Sequence, residues 1–170
     1  MTTIIFPGQG SQNIGMAKDF YDNYSIAYET FHKIEEVVNY DLKKIIFENY
    51  ENRLNFTEYT QISIFTASMM IFETIKKETD ILPDKINYML GHSLGEYTAL
   101  ACSKKISIEK ASSLLKLRGK LMGNAVERNT TGMAALIGVN ADKINEIIFN
   151  NDLLVEIAND NSPIQVVISG

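Results

Sequence analysis

The residues with the clearest chemical potential lie in Gly91-His92-Ser93-Leu94-Gly95-Glu96, a G-x-S-x-G pattern that follows the short apolar run Ile86-Asn87-Tyr88-Met89-Leu90. At such a strand-to-helix corner the serine takes a strained backbone conformation, and the flanking glycines keep side chains away from its hydroxyl. The helix that follows points free N–H groups at the charge that develops when the serine attacks a carbonyl. Ser93 is therefore a candidate nucleophile for acyl chemistry. An ordinary glycine-bracketed turn is the competing reading, and the strand before it and the helix after it favour the chemical one.

Arg118 is the second candidate. On a helix its neighbours one turn away are Leu114, Leu115, Leu121 and Met122, which places a guanidinium inside an apolar stripe. A buried, unpaired guanidinium costs several kcal/mol, so it needs a partner. That partner is either an acidic residue elsewhere in the chain or the carboxylate of a ligand held by a bidentate clamp, and spacing alone weighs the two equally.

Other reactive side chains carry less. Pro7-Gly8-Gln9-Gly10-Ser11-Gln12 forms a tight loop, yet it has neither G-x-G-x-x-G nor the lysine of a phosphate-binding loop. Its better use is to bring a backbone N–H close to Ser93. His32 lies off the apolar stripe among Glu29, Glu35 and Glu36 and reads as a solvated surface residue. His92 is not a base for Ser93 merely by adjacency, because consecutive side chains at a corner point apart. Met69 and Met70 read as core filler. With one cysteine, Cys102, and two histidines in the chain, an internal disulfide is impossible and a zinc site is not supported.

The elements that position these residues follow from periodicity. Thr3–Phe6 reads as a strand, with Ser11 capping a helix from Asn13 to Phe20. Ala27, Phe31, Ile34 and Val38 mark an amphipathic helix, a shorter one runs from Asp41 to Tyr50, and Glu51–Asn55 is a polar connection. The segment from Glu58 to about Lys77 is apolar on two adjoining faces and reads as a largely buried helix. Asp80 to Lys85 is a loop. After the helix that follows Ser93, Lys104-Lys105 turn the chain and Ser107 caps a long helix to about Val126. Beyond a polar break at Asn129–Gly132, the order is strand (Met133–Val139), helix (Ala141–Asn150), strand (Leu153–Ala158) and strand (Gln165–Ser169), the first part of a ferredoxin-like unit.

At 170 residues and 45% hydrophobic, the chain suits one domain with or without a small appendage. A formal charge of -5 and a pI near 5.1 argue against a nucleic-acid or anionic-membrane partner, though one arginine can still bind a small acidic ligand. No run is long enough to cross a bilayer, and Met1-Thr2-Thr3-Ile4 has no secretory pattern, so a cytoplasmic location is expected.

Phe6–Gln12, Gly91–Tyr97 and Leu117-Arg118-Gly119-Lys120, with Gly132–Ala135, Asn161-Ser162-Pro163 and Gln165–Gly170, together resemble the malonyl-CoA:acyl-carrier-protein transacylases of bacterial fatty-acid synthesis. The resemblance runs the length of the chain. It implies an α/β fold, with an α/β-hydrolase-like large subdomain (residues 1–129) and a partial ferredoxin-like small subdomain (130–170). It implies Ser93 as the acyl-accepting nucleophile, the backbone N–H groups of Gln9 and Leu94 as the oxyanion hole, and Arg118 as the holder of the malonyl carboxylate. His92 and Met122 would line the pocket. Malonyl-CoA would be a substrate, acyl carrier protein the partner, and neither a bound cofactor nor a metal is implied.

Two departures from that family stand out. The family usually has proline after the glutamine of Thr60-Gln61-Ile62-Ser63, and it continues further to supply a histidine in a Ser-His motif as general base, which neither His32 nor His92 matches. Three readings follow: the front part of a transacylase, truncated or completed by a separate C-terminal fragment; a serine esterase or thioesterase using water; or a non-catalytic remnant that binds coenzyme A or carrier protein.

Overall fold

The computed structural model describes residues 1–79, 85–127 and 130–170, and it divides into two compact units, Met1–Gly123 and Asn124–Gly170. The loop expected at Asp80 to Lys85 lies, except for its last residue, outside the described residues.

In the first unit, β1 (Thr3–Phe6) and β2 (Tyr88–Gly91) pair in parallel, with Thr3 opposite Tyr88 and Phe6 opposite Gly91. Side chains alternate across a strand. Phe6 is accordingly buried and Ile4 and Met89 pack on the core, whereas Ile5, Tyr88 and Leu90 on the other face are exposed.

The inner face rests on helices. Helix α5 (Gly95–Cys102) packs on both strands and Phe72 of α4 (Thr57–Glu78) meets Phe6; the other helices of this unit are α1 (Lys18–Asn23), α2 (Ser25–Val38), α3 (Leu42–Glu48) and α6 (Ile108–Gly123), with a 3-10 segment at Tyr50–Asn55. The expected stripe of α2, Ala27, Phe31, Ile34 and Val38, is fully buried, and α4 packs between α2 and α6. Twelve residues of α4 are buried, among them Ile62, Phe65, Met69 and Met70. Asp41 caps α3 by accepting from the Lys44 N–H at 3.0 Å, and Ser107 caps α6 by accepting from Lys110 at 3.1 Å.

Three expectations for this unit need correction. Ser11 caps no helix: its Oγ donates to the Gly8 carbonyl, and residues 14–17 form turns before α1 begins at Lys18. Gly15, at φ +78, donates its N–H to the carbonyl of Ile46, and this tertiary bond takes the segment off a helical path. His32 is half-buried rather than solvated, with Nε2 3.2 Å from Tyr21 Oη, Nδ1 3.0 Å from Glu35 Oε2 and the ring 4.2 Å from that of Tyr28. Packing of α1 against α2 creates that cage. Helix α6 ends at Gly123, short of Val126.

In the second unit, β3 (Met133–Ile137), α7 (Ala141–Asn151), β4 (Glu156–Ser162) and β5 (Gln165–Ser169) form a three-stranded sheet in the order β3-β5-β4, both pairs antiparallel. The order is that of a split β-α-β arrangement, with the late strand inserted between the first two. Val166 and Ile144 form its small core. The expected strand Leu153–Ala158 starts later and runs on through Asn159-Asp160-Asn161-Ser162. Register shifts between Ile157 and Asn159 and between Asp160 and Ser162 carry those polar residues within a paired strand, leaving Pro163-Ile164 as the hairpin turn.

Candidate functional site

Ser93 sits between β2 and α5 at φ +55, a left-handed conformation that a residue with a side chain adopts only under tertiary constraint. Around it, His92 N–H donates to the Phe6 carbonyl at 3.1 Å and Gly95 N–H to the His92 carbonyl at 2.9 Å. The corner is too tight for side chains. A Cβ on Gly91 would lie 2.0 Å from the carbonyl carbon of Gly95, and one on Gly95 would lie 2.4 Å from the Phe6 carbonyl oxygen. The two glycines are therefore required by close backbone approach, and the result is that the Ser93 hydroxyl stands clear of the turn.

The same pairing brings the loop after β1 alongside the corner. A Cβ on Gly8 would lie 2.4 Å from His92 Nδ1, so the exposed His92 ring rests against that loop. Gln9 Nε2 donates to Thr57 Oγ1 at 3.1 Å, tying the loop to the start of α4. Leu94 is fully buried and immediately precedes α5. The backbone N–H groups of Gln9 and Leu94 make no hydrogen bond to another described residue.

Arg118 reaches the serine from α6. Its Nη2 donates to Ser93 Oγ at 3.0 Å and its Nη1 donates to Gln61 Oε1 at 2.5 Å, while its guanidinium carbon lies 5.9 Å from the centre of the Tyr97 ring. Gln61 Nε2 in turn donates to Met122 Sδ at 3.2 Å, which brings Met122 into the same group. Helix α6 lies this close to α4 because residue 119 is glycine: a Cβ there would lie 2.8 Å from the Glu58 carbonyl oxygen.

No carboxylate among the described residues pairs with Arg118. Nor is the arginine sealed in the core as its apolar neighbours suggested. Leu115 is buried, but Leu117, Leu121 and Met122 are exposed, and Arg118 itself is half-buried. The ion-pair explanation thus finds no partner among the described residues, and the half-buried guanidinium lies beside the hydroxyl it touches.

Gln61 was singled out in the sequence only for the residue that follows it. The missed signal is an amide on the buried side of a helix that is otherwise apolar or hydroxyl-bearing there, where an unpartnered amide is costly. Cys102 is buried 3.7 Å from Met69 Sδ, and burial pushes its thiol well above the ordinary range. Among the described residues no group of three or more His, Cys, Asp or Glu side chains could hold a metal ion, and no helix is long and apolar enough to cross a membrane.

Residues 3–170 match the acyl transferase domain family. The chain belongs to that family. A malonyl CoA-acyl carrier protein transacylase from Staphylococcus aureus is 37% identical over 172 residues, covering 99% of this chain and 54% of its own length. The acyl-carrier-protein-S-malonyltransferase of Bartonella henselae superposes with a TM-score of 0.91 at 36% identity, over 100% of this chain and 55% of that one. A malonyl-transacylase solved in complex with a type II polyketide-synthase acyl-carrier protein gives 0.89 at 36% identity, over 99% and 54%. The chain spans about half the length of the curated relatives it matches.

Proposed function

We propose that this acyl transferase chain carries the nucleophile and carboxylate clamp of a malonyl transfer from malonyl-CoA to the phosphopantetheine thiol of acyl carrier protein, serving fatty-acid synthesis in the cytoplasm. The observation that carries the reading is the Arg118 guanidinium, held 3.0 Å from Ser93 Oγ with no carboxylate of its own among the described residues. A charge left uncompensated at a nucleophile selects acyl groups that bring a carboxylate.

In the proposed sequence Ser93 Oγ, the residue of the nucleophile elbow, attacks the thioester carbonyl, forming the new C–O bond. The oxyanion is stabilised by the N–H groups of Gln9 and Leu94, the second of these reinforced by the N-terminus of α5. The C–S bond then breaks, the serine proton ends on the departing thiol of coenzyme A, and malonyl-Ser93 remains. The carrier protein's thiol attacks that ester in the reverse sense and regenerates the serine. His92 and Met122 border the site.

Ser93 Oγ accepts from the Arg118 guanidinium, which has only donors and cannot take the serine proton, and His32 is engaged by Tyr21 and Glu35. The proton acceptor is accordingly proposed to come from polypeptide outside these 170 residues, in the part of the relatives that the chain does not span. Incubation of the protein with malonyl-CoA, followed by intact mass measurement, should show one malonyl adduct that is absent from Ser93→Ala. An adduct of the same mass on Ser93→Ala would place the nucleophile elsewhere.

A further inference from the structure

We propose that Gln61 is a positioning and specificity-determining residue, whose neutral amide fixes Arg118 beside Ser93 while leaving the guanidinium charge for the carboxylate of the acyl group. The inference rests on the malonyl-transfer reading above.

Gln61 is fully buried on α4, and both ends of its amide are used. Its Oε1 accepts from Arg118 Nη1 at 2.5 Å and its Nε2 donates to Met122 Sδ at 3.2 Å. The amide can face only one way. A guanidinium has donors alone, so the oxygen must turn to Arg118, and the NH2 is left to the thioether, a weak acceptor. The close contact of Gly119 with the Glu58 carbonyl sets the α6 backbone one turn of α4 before Gln61. What remains free is the arginine side chain, which carries much rotamer entropy, and Gln61 removes that freedom at Nη1.

The choice of amide over carboxylate decides the charge of the site. A glutamate has the same length and would accept the same hydrogen bond, but it would form a partly buried ion pair and satisfy the arginine within the protein. An incoming carboxylate would then have to displace a charged partner. With glutamine the hydrogen bond is kept and the charge stays unspent.

The test compares acyl loading from malonyl-CoA and acetyl-CoA by the wild-type protein, Gln61→Glu and Gln61→Met, with thermal melting to establish folding. Gln61→Glu should lower kcat/KM for malonyl-CoA by roughly 10- to 100-fold, the scale of one charge-assisted contact, and change that for acetyl-CoA by no more than about threefold. Gln61→Met loses the acceptor and keeps the guanidinium charge, so its malonyl-to-acetyl ratio should fall between those of the wild type and Gln61→Glu. A purely structural role moves both substrates together. If Gln61→Glu melts far below the wild type, the ratio of Gln61→Met decides: a wild-type ratio overturns the inference. An unchanged ratio in a folded Gln61→Glu likewise overturns it while leaving the malonyl-transfer reading intact. A wild-type protein with no preference for malonyl overturns both.

Discussion

At the scale of single residues, the site is two side chains held in unusual states by their surroundings. Arg118 sits next to a hydroxyl and an amide with no carboxylate among the described residues to absorb its charge. Arg118→Ala should therefore lose malonyl loading by roughly 10²-fold relative to acetyl loading, because only the malonyl group brings a charge to pair. Equal loss for both, measured as kcat/KM, would make the arginine structural. Ser93 holds φ +55, which reverses the usual ranking of substitutions. Ser93→Gly should be more stable than Ser93→Ala by about 1 kcal/mol in urea unfolding, since only glycine relieves the left-handed strain, and both should lack the adduct. Cys102, buried and with its thiol shifted upward, should resist alkylation in the folded protein.

At the scale of elements, the two-stranded sheet and its flanking helices act by how closely their backbones approach. At Gly91 a Cβ would fall 2.0 Å from the Gly95 carbonyl carbon, whereas at Gly132 nothing lies within 4 Å. Gly91→Ala should accordingly cost at least about 3 kcal/mol and Gly132→Ala less than about 0.5 kcal/mol, a contrast readable by thermal melting. Helices α2 and α6 are also bridged by Lys33 and Glu109 at 2.6 Å, on side chains nearly half exposed. The hydrogen bond from Lys33, with the helix-start N–H and Ser107 adding to it, draws the Glu109 carboxyl down from 4.5 to about 2. A carboxyl whose folded value is depressed stabilises the fold above its unfolded value. The contribution is thus fully present above about pH 4.5 and is lost as pH falls toward 2. Because the pair is exposed it should be worth less than about 1 kcal/mol, and Glu109→Gln should match the wild type only at the acid end.

At the scale of the whole molecule, one face of the β1–β2 sheet carries exposed apolar side chains among the described residues. Ile5, Tyr88 and Leu90 are 71%, 55% and 52% exposed, and a cleft lined in part by Ile86, Tyr88 and Leu100 adjoins them. In the second unit Ile137, Phe149 and Leu154 are exposed as well. Contiguous apolar surface of this kind is a liability in a free polypeptide. A polypeptide of these 170 residues should bind a hydrophobic dye in its native state. That binding should fall, and malonyl loading rise, when the segment corresponding to the remaining length of the relatives is supplied in trans. A monodisperse, cooperatively melting polypeptide with no dye binding and full transfer activity would contradict both expectations.

Residue patterns determined the parts of this protein that depend on near neighbours along the chain. The period of Ala27, Phe31, Ile34 and Val38 marked a stripe that is buried in full, and β1 and β5 run where their apolar runs do. The G-x-S-x-G spacing placed Ser93 at the corner between β2 and α5, because strand, glycine and helix signals are all local. Contacts between distant segments lay beyond such patterns. The bond from Gly15 to Ile46 removed an expected helix, and the α1–α2 packing made a cage for His32. Likewise, 57 positions separate Gln61 from Arg118 and 25 separate Arg118 from Ser93. Nothing local records that a buried amide, a guanidinium and a hydroxyl meet, since their meeting depends on how closely α6 can approach α4, which tertiary packing at Gly119 decides.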